Sequence, residues 1–229
     1  LEEVNRFMAP RTGFRAKAVS GFVPAFNFFD CLSRREFPTT ITIRDGASLD
    51  YLPEPDIFHD IAGHVPMHTD PAFAETLVRF GACAHLAADM VSGMTDRAEQ
   101  RRRLSSIQNA LQRFFWFTVE FGLMRGRTRD EITVYGSGLL SSYGEIVHSV
   151  TSPTVQRYPL LLEWVVNQHF EIDHYQPLLF IVDDFEQLYA QVERLEAWMK
   201  AGKLDNVTPG WRDMSEADVE SFLNASLGR

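Results

Sequence analysis

Apolar residues recur every three or four positions over much of the chain, which is the spacing of amphipathic helices. Helix boundaries are marked as well: Asp70-Pro71 is typical of a helix start and Gly93 of an end, and Pro10 is expected to end the first helix. The pattern predicts helices over residues 1–8, 24–36, 71–92, 96–123, 159–170, 185–200 and 215–223.

Short runs rich in β-branched or continuous apolar residues predict a few strands between these helices. Gly136 and Gly138, which open an apolar segment, predict tight backbone packing. Helices dominate, so we expect a mainly α fold with a few short β-strands, built as a single domain over residues 1–229 around a cleft. The predicted strands are 19–23, 39–43, 133–135 and 177–182.

Two histidines lie in an otherwise apolar stretch, residues 51–66, and suggest half of a metal site. Pro53 and Pro55 fit the entry to a short helix, and Gly63 fits its exit. His59 and His64 are five residues apart, which turns their side chains roughly 140° from each other on a regular helix. We therefore expect the helix to loosen at Gly63, where the missing Cβ lets the chain leave α geometry and brings His64 round to His59.

Glu120 is the best candidate for a carboxylate ligand, because it lies in the aromatic segment 114–121 and a buried charge needs a partner. Two imidazoles and one carboxylate form the facial triad of non-haem iron(II) oxygenases. A zinc hydrolase can use the same ligands, with Asp60 or Glu54 as general base. A helical binding module with a structural metal is a third alternative.

Each signal also has a structural interpretation. Singly, His59 and His64 fit core or helix-end histidines, and Glu120 can pair with Arg125 or Arg127.

Charge and cysteine content narrow the function further. The 229 residues carry a net charge of −9 with a pI near 5.2, which argues against nucleic-acid binding. Cys31 and Cys83 lie in apolar surroundings and fit reduced residues of a cytoplasmic protein. No apolar run approaches the roughly 18 residues that a membrane span needs, so no membrane partner is expected.

Three motifs, residues 51–66, 116–123 and 135–145, resemble those of the pterin-dependent aromatic amino acid hydroxylases, most of all the bacterial phenylalanine hydroxylases. They occur in the family order with compatible gaps. The resemblance runs from about residue 12 to 188, with C-terminal helices over 185–229, and implies one catalytic domain. Family members from animals add a regulatory domain and an assembly helix that are not evident in this sequence, so we expect a monomer.

The resemblance also implies a role for each matching residue. His59, His64 and Glu120 fall on the iron ligands, and Arg44 falls on the arginine that pairs with the substrate carboxylate. Phe28 falls on the ring that stacks on the pterin. The remaining pterin positions are Gly21, Phe22, Val23, Ala25 and Asp60, and the remaining substrate positions are Leu52, Pro53, Trp116, Phe121, Gly138, Ser141, Glu145 and Ile172.

The implied reaction is ring hydroxylation of L-phenylalanine, to tyrosine, by Fe(II), dioxygen and a tetrahydropterin cosubstrate. Trp116 is bulky where tryptophan-hydroxylating relatives have phenylalanine, and Ile172 stands where tyrosine-hydroxylating relatives have an acidic residue. Hydroxylation at the meta position, or of tryptophan, stays open. One departure is Phe115, where many members have tyrosine.

Overall fold

Ten helices are described in the computed structural model, which covers residues 1–21, 23–43, 55–128, 131–210 and 214–227. They are α1 (Glu2–Thr12), α2 (Ala25–Ser33), α3 (Val65–Met67), α4 (Pro71–Ser92), α5 (Arg97–Phe115), α6 (Ser137–Leu140), α7 (Tyr143–Thr151), α8 (Leu162–Val165), α9 (Phe185–Lys200) and α10 (Glu216–Leu227).

The described strands are short and form two small sheets. The strands are β1 (Arg15–Val19), β2 (Glu36–Thr40), β3 (Leu123–Arg125), β4 (Ile132–Val134), β5 (Gln156–Pro159) and β6 (Leu178–Val182). In the first sheet, β1 and β2 run parallel, with Arg15 opposite Glu36. In the second sheet the order is β4-β3-β6-β5; β3 is antiparallel to β4, whereas β6 is parallel to both β3 and β5.

The long helices begin where an aspartate caps them. Asp70 accepts a hydrogen bond from the Phe73 amide at 3.0 Å, and Asp184 accepts one from the Gln187 amide at 2.7 Å. Such caps satisfy amides that a helix start leaves without partners. α4 packs between α2 and α9, and its buried face joins the main hydrophobic core. A smaller apolar cluster lies under the second sheet and includes Phe121.

The mainly α fold with a few short strands is confirmed, and so are the helices predicted over 71–92 and 185–200. The extent of the single catalytic domain stays a prediction. None of the described helices is both long and apolar enough to cross a bilayer.

Some predicted boundaries were wrong. α1 continues through Pro10 to Thr12. A proline in the last turn costs only one backbone hydrogen bond, so it does not end the helix, which instead ends at Gly13 in a left-handed conformation. The first two strands lie several residues earlier than predicted. The helix predicted over 159–170 is mostly absent: Gln156–Pro159 pairs with β6, and only Leu162–Val165 is helical.

Candidate metal centre and substrate pocket

The two histidines lie on a π-helical turn, His59–His64, which α3 continues. The Val65 amide bonds to the Asp60 carbonyl, five residues back. This i→i+5 bonding adds one residue to the turn, so residues five apart come to lie on the same face. The predicted convergence of His59 and His64 is therefore achieved by widening the turn. The expectation that the helix ends at Gly63 was wrong.

Gly63 has a different role, since its missing side chain allows close approach to a second element. A Cβ at this position would lie 2.5 Å from the Ser137 carbonyl oxygen, at the start of α6. Real Cβ atoms essentially never come so near a backbone oxygen. Gly63 therefore lets the histidine turn pack directly against the segment that carries Ser141.

Glu120 ends a second π-helical turn, Trp116–Glu120, which follows α5 without a break. The Phe121 amide bonds to the Trp116 carbonyl at 2.9 Å, again five residues back. The long helix predicted to run to 123 thus changes its pitch at Trp116. This turn also packs tightly against the start of α6, because a Cβ at Gly136 would lie 2.5 Å from the Glu120 carbonyl oxygen.

The side chains on these two turns converge. His59 Nε2 lies 3.1 Å from His64 Nε2, and Glu120 brings Oε2 to 3.6 Å from His59 Nε2 and Oε1 to 3.3 Å from His64 Nε2. Two imidazole nitrogens and a carboxylate that face one point are the donor set of a facial iron(II) site. The residues present therefore fit the metal that the sequence suggested.

The hydrogen bonds around His59 give it the tautomer that a metal ligand needs. Ser141 Oγ donates to the Ser137 carbonyl at 2.9 Å, so its lone pair accepts from His59 Nδ1 at 2.8 Å. The proton on Nδ1 leaves the Nε2 lone pair directed at Glu120 and His64. Bonds of this kind orient a metal-binding histidine and raise its basicity.

His64 is held by packing. Its ring lies 4.3 Å from the Phe37 ring, centroid to centroid, and is buried. The His64 carbonyl accepts a hydrogen bond from His68 Nδ1 at 2.6 Å. Burial lowers the pKa of His68 to about 3, so this ring is neutral and its Nδ1 proton supports the turn.

A second carboxylate, that of Asp60, also lies within 4.8 Å of ligand atoms of both histidines. Asp60 Oδ2 already accepts a hydrogen bond from the Thr40 amide at 2.7 Å, and burial raises the pKa of Asp60 to about 6. Burial acts on Glu120 in the same direction, but the imidazoles of His64 and His59 outweigh it and hold the Glu120 pKa below its ordinary value. Glu120 is therefore the better anionic ligand.

The ion pair considered between Glu120 and Arg125 is not formed. Arg125 Nε bonds to Asp183 at 3.1 Å, whereas Glu120 faces the two histidines.

Trp116 forms an aromatic wall on the turn that ends at the candidate ligand Glu120. Its ring is stacked on Phe170, with centroids 4.4 Å apart, and lies 4.6 Å from Phe121. Its Nε1 donates to Gln176 Oε1 at 3.2 Å. Phe170 and Gln176 were missed by sequence reasoning, because Phe170 was placed at the end of the helix predicted over 159–170 and no periodic pattern marks the residues between it and the strand predicted from 177.

The other predicted substrate residues differ in their contacts and burial. A Cβ at Gly138 would lie 2.9 Å from the Phe121 ring, and Ser141 contacts His59. Glu145 is 3% exposed on α7, and burial raises its pKa to about 7. Ile172 is half exposed, on the segment between Phe170 and Gln176.

Of the predicted pterin residues that the structure describes, Asp60 lies on the histidine turn and the others lie just before α2 or on it. Gly21 adopts a left-handed conformation with φ +74°, and Val23 and Ala25 are half-buried. Phe28 makes edge contacts with Phe37 and with Phe115, the latter at 5.4 Å. Phe22, Arg44, Leu52 and Pro53 lie outside the described residues.

Comparison with known proteins decides the family. The model of the "biopterin-dependent aromatic amino acid hydroxylase" family matches residues 1–202. The chain belongs to this family. The match covers both π-helical turns and the whole segment from α6 to α9, so the resemblance inferred from three motifs is confirmed.

The family members most similar in sequence include phenylalanine-4-hydroxylase of Caulobacter vibrioides, which is 38% identical over 185 residues, 81% of this chain and 57% of that protein. The chain spans less than two thirds of the length of such relatives. A solved phenylalanine hydroxylase of Chromobacterium violaceum bound to cobalt matches with a TM-score of 0.76 and 31% identity, over 91% of this chain and 69% of the other.

A second structure of the Chromobacterium violaceum enzyme holds iron and phenylalanine. It matches with a TM-score of 0.73 and 29% identity, over 91% of this chain and 69% of the other. The zinc-hydrolase alternative finds no support among these matches.

Proposed function

We propose that this protein is a non-haem iron(II), tetrahydropterin-dependent monooxygenase that hydroxylates the ring of L-phenylalanine. The observation that carries the proposal is the convergence of His59 Nε2, His64 Nε2 and both Glu120 oxygens, at 3.1–3.6 Å, beside an aromatic wall. Three protein ligands leave coordination positions open, as oxygen chemistry requires. The iron- and phenylalanine-bound structure of the Chromobacterium relative supports the same choice of metal and substrate.

Residues of this chain would bind the metal and keep its ligands in position. His59, His64 and Glu120 would hold iron(II), and Ser141 would keep His59 in the ligating tautomer. When bound, iron and the reduced pterin supply the electrons that split dioxygen, with one oxygen atom going to the substrate and the other to the pterin.

The pocket around the metal suits an aromatic ring. Trp116 and Phe121 would face the substrate ring with apolar surface, and Gly138 would leave space beside Phe121. Glu145 and Ser141 would give polar support, and Arg44, Leu52, Pro53 and Ile172 would complete the site. Arg44 suits the substrate carboxylate, because its planar fork forms two parallel hydrogen bonds.

The pterin would bind against α2. Phe28 would stack on it, and the backbone of Gly21, Phe22, Val23 and Ala25 would meet its edge, with Asp60 nearby on the histidine turn. Phe115 packs perpendicular to Phe28. Many family members carry tyrosine at this position, so this chain offers no phenol hydrogen-bond donor there.

Para-hydroxylation to tyrosine is the product we propose, in agreement with the names of the relatives. Trp116 fills space that a substrate indole would need, and Ile172 offers no acidic partner for a substrate hydroxyl, which would be buried unpaired. A cytoplasmic location is proposed because Cys31 and Cys83 are free and buried, as in reduced intracellular proteins.

Metal reconstitution tests the function. Metal-free protein receives iron(II), cobalt(II) or zinc(II), then reduced pterin and phenylalanine, tyrosine or tryptophan, with oxygen uptake and products measured. Of the three metals, we expect only iron(II), with reduced pterin, to give tyrosine from phenylalanine. Meta-tyrosine, faster turnover of tryptophan, or hydrolysis supported by zinc would contradict the proposal.

A matched pair of variants locates the ligand. Glu120→Ala removes one of three protein ligands and should abolish tight iron binding, measured by competition with a chelator. Glu131→Ala, outside both π-helical turns, should leave iron affinity unchanged.

A further inference from the structure

The Trp116 ring is held in its plane by two other rings, but stacking alone leaves it free to slide. The centroids of the Trp116 and Phe170 rings are 4.4 Å apart with 18° between the ring planes, and those of Trp116 and Phe121 are 4.6 Å apart with 32° between the planes. Such apolar contacts tolerate offsets along the ring plane. The indole N–H is the only polar group of the side chain, so its hydrogen bond decides where in that plane the ring comes to rest.

That hydrogen bond is made by Gln176. Its Oε1 accepts from Trp116 Nε1 at 3.2 Å, and its Nε2 donates to the Glu171 carbonyl at 2.6 Å. The two bonds require the same orientation of the amide, since a carbonyl partner needs the NH₂ end. Gln176 is only 2% exposed. A buried amide with both ends engaged is fixed in position, and it fixes its partner.

Gln176 also connects the wall to a distant part of the chain. Gln176 precedes β6. The Glu171 carbonyl to which it donates a hydrogen bond belongs to the residue after Phe170, and Phe170 stacks on the indole. Trp116 opens the π-helical turn that ends at Glu120. A shift of the indole would therefore change both the shape of the substrate pocket and its distance from the metal ligands.

We propose that Gln176 is a positioning residue that sets the place of the Trp116 ring and thereby the preference for a six-membered substrate ring. Gln176 does not touch the reacting atoms; it acts through Trp116. The inference rests on the proposed function, since it concerns the substrate wall of the same site.

Two variants and a matched control test it. Gln176→Leu removes the acceptor and leaves the indole N–H unpaired in a buried site, and Gln176→Asn is one methylene too short to reach both partners. The control is Gln168→Leu, because Gln168 Oε1 accepts from Trp164 Nε1 at 2.8 Å in an equivalent pair whose indole packs on Tyr158 and Phe180.

In the iron-loaded enzyme with reduced pterin, we expect each Gln176 variant to lower kcat/KM for phenylalanine on the order of tenfold, as an unpaired buried donor would. The preference over tryptophan should narrow, with the pterin KM unchanged. Gln176→Glu should keep the preference for phenylalanine close to that of the wild type, because a protonated glutamic acid side chain can accept a hydrogen bond from Trp116 Nε1 and donate one to the Glu171 carbonyl. Gln168→Leu should alter none of these quantities.

The same variants in a Trp116→Phe background separate positioning from general support. With no indole N–H left, the Gln176 changes should have no further effect on the substrate preference. An unchanged preference in the single variants, or an equal loss in both backgrounds, overturns the inference. If the wild type oxidises no aromatic amino acid, the proposed function fails, and the positioning role is then tested by fluorescence. The emission of Trp116 is obtained as the difference between a protein and its Trp116→Phe counterpart. An identical Trp116 emission maximum in the wild type and in Gln176→Asn overturns the positioning role.

Discussion

Ser141 and His59 are joined by a hydrogen bond whose direction is determined by a third group. Ser141 Oγ lies 2.8 Å from His59 Nδ1, and its single proton is directed to the Ser137 carbonyl at 2.9 Å. The imidazole must therefore donate. A serine 82 residues further along the chain thus selects which nitrogen of His59 faces the metal position.

The first prediction follows from this bond. Ser141→Ala should weaken iron(II) binding by about 10- to 100-fold, the usual effect of losing a partner of a metal-binding histidine. Ser149→Ala is the control, since Ser149 makes a similar bond to the Ile146 carbonyl on α7. Chelator competition measures both affinities. Equal affinities in the two variants would show that the serine does not orient His59.

A second prediction concerns Gly63. An added Cβ would lie 2.5 Å from the Ser137 carbonyl oxygen, and backbone cannot yield as a side-chain tip can. Gly63→Ala should therefore separate the histidine turn from α6, destabilise the protein by about 1–3 kcal/mol, and reduce iron affinity. Urea unfolding and metal titration would measure the two effects.

Gly93→Ala is the matched control for that variant, because nothing lies within 4 Å of a Cβ built at Gly93 and its φ of −85° suits any residue. Its stability should stay within about 0.5 kcal/mol of the wild type. If Gly63→Ala behaved in the same way, the close approach would have no importance.

These residues show how far sequence reasoning reached. His59, His64 and Glu120 stood out because histidines and a carboxylate in apolar segments need partners, and the structure brings them together. The loosening of the helix was predicted, but its form, an i→i+5 turn over His59–His64, was not. Such a turn has no separate hydrophobic period, and it packs against Ser137, which is distant in sequence.

The partners of Trp116 were beyond prediction for a related reason. Phe170 and Gln176 lie 54 and 60 residues further along; Phe170 was expected to end a helix that is mostly absent, and Gln176 lies in a segment with neither helical nor strand spacing. Their contact depends on the placement of β6, and so does the strand Gln156–Pro159, whose last residue was predicted to begin a helix. In both cases tertiary pairing outweighed local preference.

The third prediction concerns pH. Burial raises the pKa of Glu145 to about 7, above its ordinary value of 4.5, so the folded protein binds this proton more tightly than the unfolded chain does. The contribution to stability is full below about pH 4.5 and is lost as the pH rises towards and through 7. Glu145→Gln, which mimics the protonated form, should remove this dependence.

Urea unfolding of the metal-free wild type and Glu145→Gln between pH 4.5 and 8 would measure it, since the difference between the two curves isolates this carboxyl from the other titrating groups. We expect the variant to gain stability relative to the wild type as the pH rises. A constant difference would contradict a raised pKa for Glu145.

The last prediction concerns the cosubstrate. Phe28 meets Phe37 and Phe115 with edge contacts, at interplanar angles of 79° and 87°. Two perpendicular ring contacts hold the Phe28 ring in place, and aromatic stacking of a ligand on it is worth about 0.5–1.5 kcal/mol beyond the area that it buries. Phe28→Ala should thus raise the KM for pterin severalfold and change the KM for phenylalanine little, whereas Arg44→Ala should do the reverse. Phe28→Tyr keeps the ring and should stay close to the wild type. Kinetics that vary one substrate at a time distinguish the roles, and equal effects of Phe28→Ala on both constants would assign Phe28 to general support of the site.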